Sequence, residues 1–178
     1  MEKKSIIVNL FGGPGTGKST GASYVFSKLK LLGIDAEYAS EYAKDKVWEQ
    51  NAAVFDCQFY ITGKQAFRIC RLVGKVDVIV TDSPILMGAI YGEDYLKPAI
   101  SGEFNKYGDK NHNYFLCRKK TYNPNGRKQT EVQAKEIDGK IKTLLDENGV
   151  PYKTVDATEE GYNQIVLDIV NLIKNPQA

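Results

Sequence analysis

The chain has 178 residues, enough for one domain whose sheet is covered by helices on both faces. Its apolar and charged contents are those of an ordinary globular protein, and no apolar run is long enough to span a bilayer. A net charge of +2 is too small to imply a nucleic-acid partner by itself.

Charge is nevertheless uneven. Between residues 101 and 130, seven basic side chains (Lys106, Lys110, Arg118, Lys119, Lys120, Arg127, Lys128) stand against Glu103 and Asp109, so this segment is +5 and the rest −3. Such a segment beside a phosphate site reads either as a phosphate clamp or as a solvated loop. Met1-Glu2-Lys3-Lys4 leads directly into a strand-like run and not into a signal-peptide core, so a cytoplasmic location is expected. Cys57, Cys70 and Cys117 lack metal-ligand spacing and His112 is the sole histidine, so buried reduced thiols are expected in place of a metal centre.

Residues 5–11 form a short apolar, β-branched run closed by glycines, the pattern of a buried strand. A helix follows over about 17–32, with Ala22, Val25, Phe26, Leu29 and Leu32 at three- and four-residue spacing and Gly33 as its stop. A second strand over 35–39 delivers Ser40-Glu41-Tyr42 at its end, and a long helix is expected over about 52–73. The third strand, 76–81, runs into Asp82 and then Pro84. A short helix is expected around 95–107, the fourth strand over 114–117 and a polar loop over 118–130. Thr130-Glu131-Val132-Gln133 is a capping box that opens the next helix, which Gly149 and Pro151 end. A fifth strand over 152–155 and a last helix from Thr158 complete the chain. Strands alternating with helices predict an α/β fold with a mostly parallel five-stranded sheet.

Gly12-Gly13-Pro14-Gly15-Thr16-Gly17-Lys18-Ser19 matches G-x-x-x-x-G-K-[ST], the Walker A pattern, and lies between a predicted strand and a predicted helix. Glycines let backbone N–H groups curl around a phosphate, and the helix that follows adds its positive end. Gly13, Gly15, Thr16, Gly17, Lys18, Ser19 and Thr20 are thus the candidate binders of ATP. Lys18 is placed to reach the β- and γ-phosphates, and Ser19 to ligate Mg²⁺. Asp82, at the end of an apolar strand, is the expected second Mg²⁺ contact. No second acid follows it, and Asn105-Lys106 continues as Tyr107-Gly108, not as a guanine-reading motif. Transfer to a bound acceptor therefore fits better than a motor or a switch.

Taken in order, the phosphate loop, Ser40-Glu41-Tyr42-Ala43-Lys44, Gly63-Lys64-Gln65, Thr81-Asp82-Ser83-Pro84, Tyr122-Asn123-Pro124-Asn125-Gly126-Arg127 and Gly149-Val150-Pro151-Tyr152 span almost the whole chain. This set resembles the small P-loop kinase group that includes the ribosylnicotinamide kinase domain of NadR, and more closely the phage-encoded AAA-type ATPase/kinase proteins grouped with it. The resemblance implies a P-loop NTPase fold with a short lid and kinase activity. Asn125 departs from it, because the NadR-type kinase tends to carry an acid before the lid Gly-Arg. That departure speaks against carrying over nicotinamide riboside as the acceptor.

Glu41, at a strand end beside the ligand crevice, is placed to take the proton of an attacking hydroxyl, a role the resemblance also implies; the alternative is an exposed acid that starts a helix. Gln58, Thr62 and Gln65 share a helix face that Arg68 extends, either as a reader of the acceptor or as a solvated face. Tyr42, Trp48, Phe55 and Phe59 are either a stacking wall or core. Arg118 and Arg127 flank the lid loop, with Arg118 expected near ATP and Arg127 on the transferring group. Ala157 and Thr158 mark where the nucleotide base is expected. The leading expectation is γ-phosphoryl transfer to a nucleoside-like or nucleotide-like small molecule. A polynucleotide acceptor, or a nucleotide-binding regulatory module with slow hydrolysis, is the alternative.

Overall fold

The computed structural model describes residues 3–119, 121–123 and 130–175. Strands β1 (Ile6–Phe11), β2 (Ala36–Ala39), β3 (Val78–Thr81), β4 (Asn111–Cys117) and β5 (Lys153–Asp156) form one sheet. Their order is β2-β3-β1-β4-β5, and every neighbouring pair is parallel. The helices are α1 (Lys18–Leu31), α2 (Tyr42–Trp48), α3 (Gln58–Cys70), α4 (Gly88–Tyr91), α5 (Lys97–Asn105), α6 (Glu131–Glu147) and α7 (Glu159–Lys174). This is the α/β fold that the alternating pattern predicts.

Because side chains alternate along a strand, each strand feeds two cores. Ile7, Phe11, Ile79 and Phe115 face α3, α5 and α6, packing with Ile69, Phe104, Ile141 and Leu145. Val8, Leu10, Val80 and Leu116 face α1 and α7, packing with Val25, Leu29, Ile165 and Ile169. Truncating a fully buried side chain such as Ile165 to alanine costs about 2–5 kcal/mol, transfer and cavity terms together. The capping box at the start of α6 forms as expected, with Gln133 N–H on Thr130 Oγ1 and Thr130 N–H on Gln133 Oε1.

The sequence pattern and the structure part company in three places. The helix expected over 52–73 is broken into a 3₁₀ turn, Ala52–Asp56, and α3, with α2 as a separate short helix before them. Gln50 ends α2 by adopting a φ of 54°, a left-handed turn that the apolar pattern does not announce. Cys57 and Cys70 are exposed at the two ends of α3, whose buried side carries Ile61, Gln65 and Ile69, and Cys117 is only half-buried. The four described basic residues of the 101–130 segment do not form one patch either. Lys106 and Lys110 precede β4 whereas Arg118 and Lys119 follow it, and its seven residues separate the two groups by roughly 20 Å. Lys106 pairs with Glu103, Arg118 with Asp138 and Lys119 with Asp156, which disperses the excess charge.

Candidate active site

The phosphate loop joins β1 to α1 at the carboxyl edge of the sheet, where parallel α/β sheets open a ligand crevice. Gly17 has a φ of 104°, and a Cβ there would stand 2.6 Å from the Tyr162 hydroxyl, which donates to Gly17 O at 3.1 Å. Glycine is therefore required twice over, by conformation and by space. The Gly13 carbonyl is a hub. It accepts from Lys18 Nζ at 3.0 Å, Thr16 Oγ1 at 2.9 Å and Thr16 N–H at 3.3 Å. Burial lowers the Lys18 pKa, opposed by the carboxylates of Glu41, Asp82 and Asp138. Ser19 and Thr20 open α1 on the wall of a cavity of about 640 Å³.

Two strand ends bring acids to that cavity. Register pairs Ala39 with Thr81, so Ser40-Glu41 and Asp82 leave adjacent strands side by side. Asp82 is 1% exposed, and its Oδ1 has no hydrogen-bond partner among the described residues. A buried anionic oxygen in that position suits a cation. No group of three or more His, Cys, Asp or Glu side chains gathers for a metal among the described residues. A divalent ion here would have to draw on Asp82, the Ser19 hydroxyl and phosphate oxygens, the donor set that suits Mg²⁺. The Tyr38 phenol on β2 faces both Asp82 and Ser19. Burial raises its pKa, and the Asp82 charge adds to the effect. Nothing in the sequence singles out Tyr38, a mid-strand tyrosine whose role comes from strand pairing.

Glu41 is half-buried at the start of α2, and burial raises its pKa above the ordinary carboxylate value. Lys18 opposes that shift, and Asp82 adds to it. The Gln65 side chain fixes the start of α2: its Oε1 accepts from Tyr42 N–H at 2.8 Å and its amide meets Thr81 Oγ1 at 3.5 Å.

Gln58, Thr62 and Gln65 all line the cavity, with Gln58 Nε2 donating to Thr62 Oγ1 at 3.4 Å. The Gln65 amide is committed as just described, whereas Gln58 and Thr62 are tied only to one another among the described residues. Arg68 does not join them. Ten residues past Gln58 the helix has turned about 80° away from its starting direction. The Arg68 guanidinium instead holds Ser40 O and Oγ, at 3.0 and 2.9 Å, and pairs with Asp45. The four aromatics separate. Trp48 and Phe55 line the cavity, Tyr42 is buried with its hydroxyl on Tyr60, and Phe59 is exposed and outside the cavity lining. Lys44, which the sequence offers only as part of the motif after β2, also lines it, as does Tyr91, which escaped the sequence reading. Burial pushes the Tyr91 phenol up to about 12, with the Glu41 and Asp138 charges adding to the shift.

Arg118 lies against the outside of the phosphate loop, donating through Nη1 to Pro14 O at 2.9 Å and through Nη2 to Asp138 at 3.0 Å. Its Nε is buried without a partner among the described residues. Arg127, the expected lid arginine, lies outside the described residues. At the end of β5, Ala157 is buried beside Gly17, and the Thr158 hydroxyl caps α7 by accepting from Gly161 N–H at 3.3 Å.

A family profile described as an AAA domain matches residues 7–161, most of the chain. The chain belongs to this AAA domain family. No curated protein sequence matches it. Among solved structures it is similar to the NadR protein in complex with NR, at 18% identity and a TM-score of 0.68 over 94% of this chain. This chain spans about half of that one, 51%. It is also similar to the deoxyadenosine kinase of M. mycoides with bound dATP, at 13% identity and a TM-score of 0.56, covering 93% of this chain and 99% of that one. The shikimate kinase of Acinetobacter baumannii in complex with shikimate gives 12% identity and a TM-score of 0.55, covering 97% and 95% respectively. At these identities the likeness establishes the fold, that of small P-loop kinases. Among the described residues, no helix is long and apolar enough to cross a membrane.

Proposed function

We propose that this chain is a kinase that moves the γ-phosphoryl group of ATP to a hydroxyl of a nucleoside-like or nucleotide-like small molecule. One observation carries the proposal: a single cavity is lined by the phosphate loop, by the neighbouring acids Asp82 and Glu41, and by an amide-and-aromatic wall. Its volume, about 640 Å³, suits a ligand of nucleoside size. NadR, deoxyadenosine kinase and shikimate kinase share the fold, and the names of the latter two are those of small-molecule kinases.

In this scheme the loop N–H groups and Lys18 hold the β- and γ-phosphates, and Ser19 and Asp82 hold Mg²⁺, which when bound offsets charge on the phosphates. Glu41 accepts the proton of the acceptor hydroxyl as that oxygen bonds to the γ-phosphorus and the bond from this phosphorus to the β,γ-bridging oxygen breaks, with ADP as the leaving group. Its raised pKa makes it a better base than an ordinary carboxylate. Gln58 and Thr62 offer hydrogen bonds to the acceptor's polar edge, while Trp48 and Phe55 offer an apolar wall for a ring. Separation of Lys106 and Lys110 from Arg118 and Lys119 by the length of β4 means that these four do not make a continuous polynucleotide groove.

The test is transfer of label from γ-labelled ATP to pooled nucleosides, nucleotides and short oligonucleotides at two salt concentrations. Label in a small acceptor, with a weak salt effect on its KM, is the expected result. Label confined to oligonucleotides with steep salt dependence would replace the small acceptor by a polynucleotide. Release of free phosphate alone would replace the kinase by a slow ATPase module.

A further inference from the structure

The outer surface of the phosphate loop is gripped from a helix that lies more than a hundred residues away in sequence. Asp138, on α6, accepts from Gly13 N–H through Oδ1 at 2.5 Å and from Arg118 Nη2 through Oδ2 at 3.0 Å. Arg118 in turn donates to the carbonyl of the next loop residue, Pro14, at 2.9 Å. The ion pair is well shielded, with Arg118 and Asp138 side chains 10% and 20% exposed. A backbone N–H bound to a buried, paired carboxylate forms a charge-assisted hydrogen bond, roughly twice as strong as a neutral one.

Space confirms how close the grip is. A Cβ on Gly13 would meet Ala134 O at 2.6 Å and Asp138 Oδ1 at 2.7 Å, and one on Gly15 would meet the Tyr122 ring at 3.1 Å and Arg118 Nη1 at 3.2 Å. Glycine at position 13 thus admits α6 to the loop backbone. At Gly13 the peptide groups work in opposite directions: the N–H is held outward by Asp138, while the carbonyl accepts Lys18 Nζ and both Thr16 donors. Fixing this stretch of backbone therefore fixes where the Lys18 ammonium rests.

We propose that Asp138 is a positioning residue for phosphate binding: paired with Arg118, it sets the Gly13–Pro14 backbone and, through the Gly13 carbonyl, the place of Lys18. The pair also ties the loop to the helix that follows the lid segment. Net charge at the clamp is zero, so a carboxylate sits close to a triphosphate site without repelling its ligand at full strength. This inference rests on the phosphate-loop reading but not on the identity of the acceptor.

The experiment measures the affinity of the full chain for a non-hydrolysable ATP analogue with Mg²⁺ by calorimetry, with thermal unfolding in parallel. Asp138→Ala loses both contacts and should weaken the analogue about tenfold, the order expected for one buried charge-assisted hydrogen bond. Asp138→Asn keeps an oxygen for Gly13 N–H and should recover most of that loss. Arg118→Gln should weaken binding by less than Asp138→Ala, and the double variant Asp138→Ala/Arg118→Gln should be no weaker than Asp138→Ala alone. If Asp138→Ala does not fold, Arg118→Gln carries the test, with Asp138→Asn as its conservative partner. Weakening by Arg118→Gln, with Asp138→Asn close to wild type and both midpoints near wild type, supports the clamp. Wild-type affinity in a folded Asp138→Ala, or in Arg118→Gln, overturns it. So does a loss of thermal stability with no loss of affinity, since that marks a purely structural contact. No analogue binding by the wild-type chain would instead overturn the phosphate-loop reading.

Discussion

The two sides of the cavity are built from opposite kinds of sequence. The phosphate side is an unbroken stretch, residues 12–20, in which glycine conformation, Lys18 and the start of α1 are specified next to one another. The side proposed for the acceptor is gathered from separate segments: Glu41, Lys44 and Trp48 around α2, Phe55 in a 3₁₀ turn, Gln58 and Thr62 on α3, and Tyr91 at the end of α4. The first side depends on local backbone geometry, which few alternative sequences satisfy. The second depends on packing between elements, so its residues are expected to be separable from phosphate binding.

The comparison predicts that damage on one side leaves the other working. Lys18→Ala should give the largest effect, a loss of transfer of about a thousandfold or more, because the ammonium that meets the transferring charge is gone. Unfolding midpoints should hardly move, since Lys18 contacts the loop and not the apolar core. Near-normal turnover in this variant would remove the phosphate side from the account.

Glu41 supplies the next prediction. Burial raises its pKa, so the group takes up its proton at a higher pH than an ordinary carboxylate. A base must be deprotonated to work, so kcat/KM should fall as pH falls through that raised value, placing the acid limb above the usual carboxylate range. A limb at or below the ordinary value would mean that Glu41 does not carry the proton.

Trp48→Ala should give the smallest effect. The side chain is 69% exposed, so stability should barely change, while KM for a ring-bearing acceptor rises about tenfold, as loss of one stacking partner implies. KM for ATP should stay put. Equal rises in both would mean that the wall belongs to the nucleotide and not to the acceptor.

The same contrast explains what was legible in the sequence. The phosphate loop, the capping box of α6, the parallel strands and the two strand-end acids follow from local pattern, and each stands where the pattern puts it. Three kinds of feature did not. The short helix α2, which precedes the helix expected over 52–73, has no clear apolar period to mark it, and the left-handed turn at Gln50 that follows it has no glycine to announce it. Arg68 looked continuous with Gln58 and Thr62 because three-residue steps lag behind the helical turn, and only the structure shows it committed to Ser40 and Asp45. Tyr38 and Asp138 carry no motif at all. Their roles come from strand register and from a contact across 125 residues of chain, which one sequence does not display.

The division of labour between the two acids is the central claim, and a Mg²⁺ titration of Glu41→Gln and Asp82→Asn tests it most directly. Transfer of label and binding of a non-hydrolysable ATP analogue are followed together in each variant. Glu41→Gln should bind the Mg²⁺-loaded analogue as the wild type does, yet transfer about a hundredfold less or worse at every Mg²⁺ concentration. Asp82→Asn should require more Mg²⁺ and recover part of its activity as the concentration rises. Rescue of Glu41→Gln by Mg²⁺, with none for Asp82→Asn, would reverse the two roles and contradict the account.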